Sequence, residues 1–379
     1  MSARATIGNS ASAGVFSEEQ EELRRTVRTF LERTSPEAAV RRLMETDEGY
    51  DPAVWKQMGE QLGLQGIHVP EEYGGAGFGF VELCLVLEEM GATLLPAPFF
   101  ASAVLAAETL LLSDDEDAKK ELLPGIASGQ TIATLAYAND TGRPDGAVEA
   151  TSTPSGYTLT GTRHFVLDGA LADLILVVAC ADAGPSVFAV EKGAAGLSAV
   201  PLSTMDLTRK QADLSFDGTP ARLIGAEGAA DGVLDRVLWM ACVALVNESV
   251  GGARAVLAQA TRYATERLQF GRPIGSFQAI KHRCADMLVA VEGSRSAAYH
   301  AAAMAQADDP SLPVVASMAK SYVGEAYFSV AAENIQVHGG IGFTWEHPAH
   351  LYFKRAKASQ LLFGDPLHHR SVLAERFGL

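Results

Sequence analysis

The segment that follows the longest apolar helical pattern of the chain carries side chains suited to binding an anion. Arg267 stands at the end of that pattern and is followed by Gln269 and Phe270. A guanidinium offers a planar fork of donors that matches the oxygens of a pyrophosphate. Gly339 and Gly340 remove two side chains and let backbone N–H groups approach an anion closely. The two segments indicate a phosphate-binding site; the alternative is that Arg267 pairs with an acid and the glycines only turn the chain.

The histidines and cysteines do not indicate a metal site or a disulfide framework. Five histidines lie near the C-terminus: His338, His347, His350, His368 and His369. Their spacing fits no HExxH-type motif, so we expect them at the surface or at an interface, with no metal bound. The cysteines are Cys84, Cys180, Cys242 and Cys284. They form no CxxC pair, so we expect reduced residues in the core.

Composition limits the class of protein. A chain of 379 residues with 48% apolar content can bury two or three cores. It contains no run near the roughly 18 apolar residues of a membrane span and no segment like a signal peptide, so we expect a cytoplasmic protein. A net charge of −16 disfavours nucleic acid and anionic membranes as partners. A small polyanionic ligand remains possible, because local donors hold such a ligand.

The first third of the chain reads as helical. A Ser-, Ala- and Gly-rich leader, residues 1–15, is expected to be disordered. Ser17 then opens a helix with Gln20 three residues on, which is the pattern of a capping box. Helical patterns continue to about Leu123 and are interrupted by the glycine-rich turn 70–77. We therefore predict an N-terminal α-helical domain at 16–125.

In the middle of the chain, apolar and polar residues alternate with a period of two, which is typical of β-strands. Short strands separated by turns are predicted at 156–161, 174–178 and 187–190. We predict a compact β domain at 126–225.

Long alanine-rich helical patterns return after residue 231. They run over 234–267, 279–307 and 314–338, and each is long enough for a helix of a bundle. A later run from Leu351 carries Lys354, Arg355 and Lys357, and it predicts a helix with a basic, solvated or dimer-facing side. We predict a C-terminal α-helical bundle domain at 226–379.

Three motifs in this α, β, α order give the chain a resemblance that covers its whole length. They are RYATERLQFGRPI at 262–274 followed by Phe277 and Gln278, QVHGGIGF at 336–343, and PEEYGGAG at 70–77. The first two are similar to signatures of the acyl-CoA dehydrogenases. The resemblance implies that family's fold, with an N-terminal all-α domain, a middle β-barrel-like domain and a C-terminal four-helix bundle.

The resemblance also implies a reaction and its partners. Acyl-CoA dehydrogenases are FAD-dependent oxidoreductases that remove hydrogen from the α and β carbons of an acyl-CoA thioester, with electron-transfer flavoprotein as the expected acceptor. In the family the two C-terminal signatures reach across a dimer interface to the FAD of the neighbouring subunit. The residues to which this role transfers are Arg267, Gln269, Phe270, Phe277, Gln278, Gln336, Val337, Gly339 and Gly340.

The catalytic base of the family is missing at both of its usual positions. The reaction needs a carboxylate aimed at the α carbon. Counting on from Gln336 places that position at Phe363, and the alternative position in other members falls on Ala241. A basic residue that helps to hold coenzyme A corresponds here to Cys242. Neither phenylalanine nor alanine can take the proton, and Cys242 removes a further polar contact to coenzyme A.

Two other acids are weaker candidates for the base. Glu248 lies seven residues beyond Ala241, on nearly the same helix face but about 10 Å further along the axis. Its apolar neighbours suggest a raised pKa, yet pairing with an arginine such as Arg254 or a place at a subunit contact is the expected role. Asp365 is near the lost base, but its side chain is short and is expected to point elsewhere.

The wall that a subunit gives to its own flavin is altered as well. The Thr-Glu-Pro motif of the family is absent near 138–142, and its Trp-x-Thr strand reads His164-Phe165-Val166-Leu167. An aromatic ring remains there, but the hydroxyl donor is lost.

Three functions stay open at this point. The first is the base-lacking subunit of a heteromeric acyl-CoA dehydrogenase, resembling the α2β2 enzymes of actinobacteria, in which a steroid side-chain thioester is a plausible substrate. The second is a self-sufficient homo-oligomer with an unusual base such as Glu248. The third is a flavin-dependent monooxygenase of the same fold. Each is expected as a dimer or tetramer, because the flavin site of the family needs two subunits.

Overall fold

The computed structural model describes residues 16–142, 147–154 and 156–379, so the predicted leader lies outside the described residues. The N-terminal part is helical: α1 Glu18–Thr34, α2 Glu37–Met44, α3 Pro52–Glu60, α4 Phe80–Thr93, a π-helical segment Phe100–Ala106, α5 Ala107–Leu111 and α6 Glu116–Ala127. The predicted capping box of Ser17 and Gln20 is confirmed. The turn at 70–77 needs its glycine at 75, because a Cβ there would lie 1.9 Å from the backbone oxygen of Val69.

The middle part is a β-barrel. Its strands are β1 Ala133–Ala136, β2 Val148–Thr153, β3 Gly156–Leu167, β4 Leu174–Ala181, β5 Gly184–Glu191, β6 Leu197–Pro201 and β7 Gln211–Ile224. The strand order is β1-β4-β2-β3-β7-β5, and an additional pairing of β4 with β5 closes the sheet. The interior is apolar, with Leu159, Val177 and Phe188 fully buried. The barrel-like fold expected from the resemblance is confirmed.

The C-terminal part is a helical bundle. Its elements are α7 Ala230–Glu266, a hairpin of β8 Leu268–Gln269 and β9 Arg272–Pro273, α8 Gln278–Gln306, α9 Leu312–His338, α10 Ala349–Leu361 and α11 Pro366–Arg376. Residues 240–253 of α7 are buried on all sides, because α7 packs against α4, α8 and α9. Within the described ranges, no helix is long and apolar enough to cross a membrane.

Two glycines let α4 and α7 touch through their backbones. A Cβ on Gly91 would lie 1.9 Å from the carbonyl oxygen of Glu248, and one on Gly251 would lie 1.8 Å from that of Glu88. Such a close approach requires glycine on both helices. The crossing fixes the position of Glu248 between the N-terminal domain and the bundle.

Several sequence expectations are wrong in detail. Arg355 does not belong to a solvated basic face, because its side chain is only 3% exposed and lies in a buried ion cluster. His338 and His369 are buried as well, while Cys180 is exposed and Cys284 is half-buried. Periodicity alone does not reveal these placements, because each depends on an element that is distant in the sequence.

Candidate functional site

The two C-terminal signatures meet at one end of the bundle. The rings of Tyr263, near the end of α7, and His338, at the end of α9, stack with centroids 4.3 Å apart. The segments that follow, residues 267–278 and 336–345, form what we call the signature end. Arg267 is exposed there, and in the part of the chain that the structure describes no acid pairs with its guanidinium. The alternative reading of Arg267 as one half of an ion pair therefore has no support within this chain.

The glycines of the signature end leave room for a ligand or a partner. Gly339 has φ 64° and ψ −142°, a conformation that is almost restricted to glycine. A Cβ at Gly339 or at Gly340 would meet nothing within 4 Å. The positive φ explains why position 339 holds glycine, and the open space agrees with close approach by an external group.

The hairpin of the signature end presents aromatic rings to the solvent. Phe270 is 91% exposed and adopts a positive φ of 53°. Its ring lies 6.1 Å from that of Phe277, which in turn lies under the guanidinium of Arg272 at 4.1 Å. Gln269, Gln278 and Gln336 are exposed, whereas Val337 is buried and supports the end of α9.

The signature end carries five large exposed apolar side chains. They are Leu268, Phe270, Ile341, Phe343 and Trp345, with Phe343 83% exposed. Several large exposed apolar groups at one end of a domain are typical of interaction surfaces. The signature end therefore has the character of a surface that another molecule covers.

The structure brings both usual base positions together, and neither holds an acid. The Sγ of Cys242, next to the buried Ala241, lies 3.9 Å from the carbonyl oxygen of Phe363. The ring of Phe363 stacks on that of Phe100 with centroids 5.8 Å apart and planes 21° apart. Asp365 is occupied elsewhere, because its carboxylate accepts the backbone N–H of His368 at the start of α11.

Burial shifts the pKa values of the ionisable side chains around Phe363. Lys320 donates to the carbonyl oxygens of Gln360 and Gly364, both at 3.0 Å, and burial lowers its pKa to about 8. Burial also lowers the pKa of His369 to about 4 and raises that of the Cys242 thiol to about 11.

Glu248 is committed to a buried ion cluster. Its carboxylate pairs with Arg209 and, at 3.2 Å, with Nη1 of Arg355. Arg355 also donates from Nε to Asp206 at 2.7 Å. The expected pairing of Glu248 with an arginine is confirmed. The example of Arg254 is wrong, because Arg254 binds both carboxylate oxygens of Glu89 at 2.9 Å.

The residues that pair with Glu248 lie far from it in the sequence, on elements whose hydrophobic pattern gives no sign of the contact. Asp206 and Arg209 lie in the loop between β6 and β7, and Arg355 lies on α10. No pattern around Glu248 in the sequence identifies them, so sequence reasoning missed the cluster.

The barrel strand at 164–167 keeps an aromatic ring but no hydroxyl. Phe165 is 42% exposed with a positive φ of 55°, and its N–H points to Asp213 at 3.3 Å. His164 lies 3.1 Å from the other oxygen of Asp213. Val166 and Leu167 are both buried. A planar ligand could stack on this wall, but it would receive no hydrogen bond from a Thr hydroxyl.

Comparison with known proteins agrees with these features. Residues 17–130 match the profile "Acyl-CoA dehydrogenase, N-terminal domain" and residues 233–378 match "Acyl-CoA dehydrogenase, C-terminal domain". The acyl-CoA dehydrogenase IpdE2 of Mycolicibacterium smegmatis is 35% identical over 96% of this chain and 100% of its own length.

Two solved assemblies have similar folds. The structure of the ChsE4-ChsE5 complex from Mycobacterium tuberculosis superposes with a TM-score of 0.88 at 31% identity, covering 96% of this chain and 98% of that one. A variant of the Tcur3481-Tcur3483 steroid ACAD gives 0.87 at 29% identity, covering 95% and 98%. The chain belongs to the acyl-CoA dehydrogenase family.

Proposed function

We propose that this chain is the base-lacking subunit of a heteromeric, FAD-dependent acyl-CoA dehydrogenase. The proposal rests on the contrast between the signature end and the two positions where the family carries its catalytic base. The signature end keeps an unpaired arginine, open glycines and exposed aromatic rings, whereas both base positions hold apolar side chains. The chain retains what it offers to a neighbour and has lost what its own thioester would need.

The residues of the signature end fit a phosphate-bearing dinucleotide. Arg267 would pair with the pyrophosphate, and the backbone at Gly339 and Gly340 would lie against it without obstruction. Gln269, Gln278 and Gln336 would offer side-chain amides, and Phe270 and Phe277 would supply apolar contacts, with Val337 supporting the backbone. Bound FAD supplies the acceptor for the hydride from the β carbon.

The partner must then supply what this chain lacks. A carboxylate base and a barrel wall with a hydroxyl donor belong, in this proposal, to a second acyl-CoA dehydrogenase-like subunit. The exposed apolar residues of the signature end support an obligate contact with it. We expect a tetramer of two such pairs.

The relatives support a class of substrate, and the family resemblance supports an electron acceptor. Similarity to a steroid ACAD supports a bulky acyl-CoA, such as a steroid side-chain thioester, as the substrate of the pair. Electron-transfer flavoprotein is the proposed acceptor. The acyl pocket that sets specificity would lie in the partner.

The other two functions receive less support. Glu248 would have to leave two arginines before it could act as a base. No observation in the described residues favours monooxygenase chemistry over dehydrogenation.

The test is the flavin content of the chain purified alone and after co-expression with its genomic neighbour. We expect a colourless protein alone and about one FAD per two chains with the partner. About one FAD per chain in the lone protein, together with turnover of an acyl-CoA, would refute the heteromeric function.

A further inference from the structure

A cleft of about 260 Å³ opens where the barrel meets the N-terminal domain. The turn after β3, residues 168–171, and both ends of the loop between β6 and β7 line it, and Asp47 joins them from the loop between α2 and α3. None of these residues belongs to the signature end or to the two base positions. The volume lies just below the range of roughly 300–1,000 Å³ that is usual for drug-sized ligands, so the cleft fits a smaller organic molecule.

Asp168 gives the cleft a polar group without a partner. Its carboxyl group has no hydrogen-bond partner in the part of the chain that the structure describes, although the residue is only 7% exposed. Neither carboxyl oxygen is completely sealed from the surface. The other cavity that Asp168 lines, of about 20 Å³, holds about one water molecule. Since a buried polar group normally has a partner, the cleft is the side from which a ligand can supply one.

The charges around Asp168 balance while its carboxyl group is neutral. The charged groups that lie near it are three cations and three carboxylates: Arg209, Arg355, Lys210, Asp206, Glu248 and Asp47. The two arginines are paired with acids in the ion cluster, and Lys210 donates to the carbonyl oxygen of Met44 at 2.8 Å. Ionisation of Asp168 adds a fourth negative charge, and burial opposes it by raising the pKa of Asp168 to about 7. A cation in the cleft would compensate that charge.

The rest of the lining suits a compact apolar body that carries the cation. Leu171, Pro201 and Leu202 contribute apolar side chains to the cleft, and Ser203 and Gln211 contribute polar ones. A planar amidinium or guanidinium presents two parallel N–H donors, which match the two oxygens of a carboxylate. A metal ion fits less well, because within the described ranges no three His, Cys, Asp or Glu side chains are placed to hold one.

We propose that this cleft binds a small organic cation, an amidinium or guanidinium on a compact apolar body, with the carboxylate of Asp168 as its counter-ion. The inference does not rest on the proposed function, because it concerns neither FAD nor the thioester. Binding must displace the proton of Asp168, so the affinity for the cation rises with pH.

The test is calorimetric titration of the full-length chain with benzamidine at pH 8 and at pH 5.5. We expect one saturable site per chain at pH 8 and binding weaker by about tenfold or more at pH 5.5, because most of the carboxyl groups are then protonated. Benzamide has nearly the same shape but no charge, and it should bind about tenfold or more weakly than benzamidine at pH 8.

The variant to compare is Asp168→Asn, which keeps the shape of the side chain and tolerates the positive φ of 51°. It should lose benzamidine binding at both pH values. A matched control is Asp217→Asn, which removes an exposed carboxylate of β7 outside the cleft and should leave the affinity unchanged.

Three results would overturn the inference. They are no saturable benzamidine binding by the unmodified chain at pH 8, equal affinity for benzamide, and undiminished binding by a folded Asp168→Asn variant. The first two do not depend on any variant.

The outcomes also separate this inference from the proposed function. A chain that binds benzamidine as expected but carries FAD and turns over an acyl-CoA alone would refute only the heteromeric function. A colourless lone chain that does not bind benzamidine would refute only the cation site.

Discussion

Asp168 is a buried carboxyl group whose ionisation should control how stability depends on pH. It follows the end of β3, is 7% exposed, and lines both a small cavity of about 20 Å³ beside Glu248 and a surface cleft of about 260 Å³. Its side chain makes no hydrogen bond within the described residues. Burial raises its pKa from 3.8 to about 7, although Arg209, Arg355 and Lys210 lower it.

The raised pKa of Asp168 makes the folded protein more stable at low pH than at high pH. A carboxyl group with a raised pKa in the folded state binds its proton more tightly there than in the unfolded chain. The free energy of unfolding should therefore fall as the pH rises from about 4 to about 7. The rise of the pKa from 3.8 to about 7 corresponds to at most about 4 kcal/mol of stability, because a tenfold change in proton affinity is about 1.36 kcal/mol.

The change to make is Asp168→Asn. Asn is nearly isosteric, stays neutral at every pH, and tolerates the positive φ of 51° at this position. We expect the variant to equal the unmodified protein near pH 4 and to exceed it by about 2–4 kcal/mol at pH 8. Denaturant unfolding across this range measures the difference.

The control is Asp47→Asn, which removes an exposed carboxylate on the same cleft. It should change stability by the same small amount at both ends of the range. If Asp168→Asn also shifts stability equally at low and high pH, the carboxyl is ionised throughout and the reasoning from burial is refuted.

Three further predictions concern the ion cluster and the signature end. Glu248→Gln should cost about 3 kcal/mol of stability, because it leaves Arg209 and Arg355 without a full charge partner. Turnover per folded assembly should stay unchanged. A large loss of kcat without a change in melting temperature would instead identify Glu248 as the base. Arg267→Ala should weaken FAD binding about ten- to hundredfold, measured by fluorescence titration, and the neighbouring Arg262→Ala should not. Gly339→Ala should cost about 1–3 kcal/mol in unfolding experiments because of its positive φ, whereas Gly232→Ala, in the first turn of α7, should cost nothing.

Local signals in the sequence predicted much of the fold. The capping box at Ser17, the period-two strands and the three long helices depend on neighbours within a few residues, and the structure contains all of them. The assignment of the base positions to Phe363 and Ala241 stays a prediction, although the structure places Cys242, next to Ala241, 3.9 Å from the carbonyl oxygen of Phe363.

The ion cluster could not be predicted in the same way. Glu248 has its partners 39 and 107 residues away, and no periodicity links a loop of the barrel to two helices. Arg355 looked like part of a basic surface because its neighbours Lys354 and Lys357 are basic, but its side chain points into the cluster. Charges that pair across domains are visible only in three dimensions.

The exposed rings of Phe270, Phe343 and Trp345 have a consequence for synthesis in the cell. A chain released alone would carry this apolar surface into a crowded solution, where like surfaces self-associate. Any partner that covers it would also stabilise the fold by mass action. Under the proposed pairing, the two polypeptides must be made in nearly equal numbers, and a shortage of one would appear first as aggregation of the other.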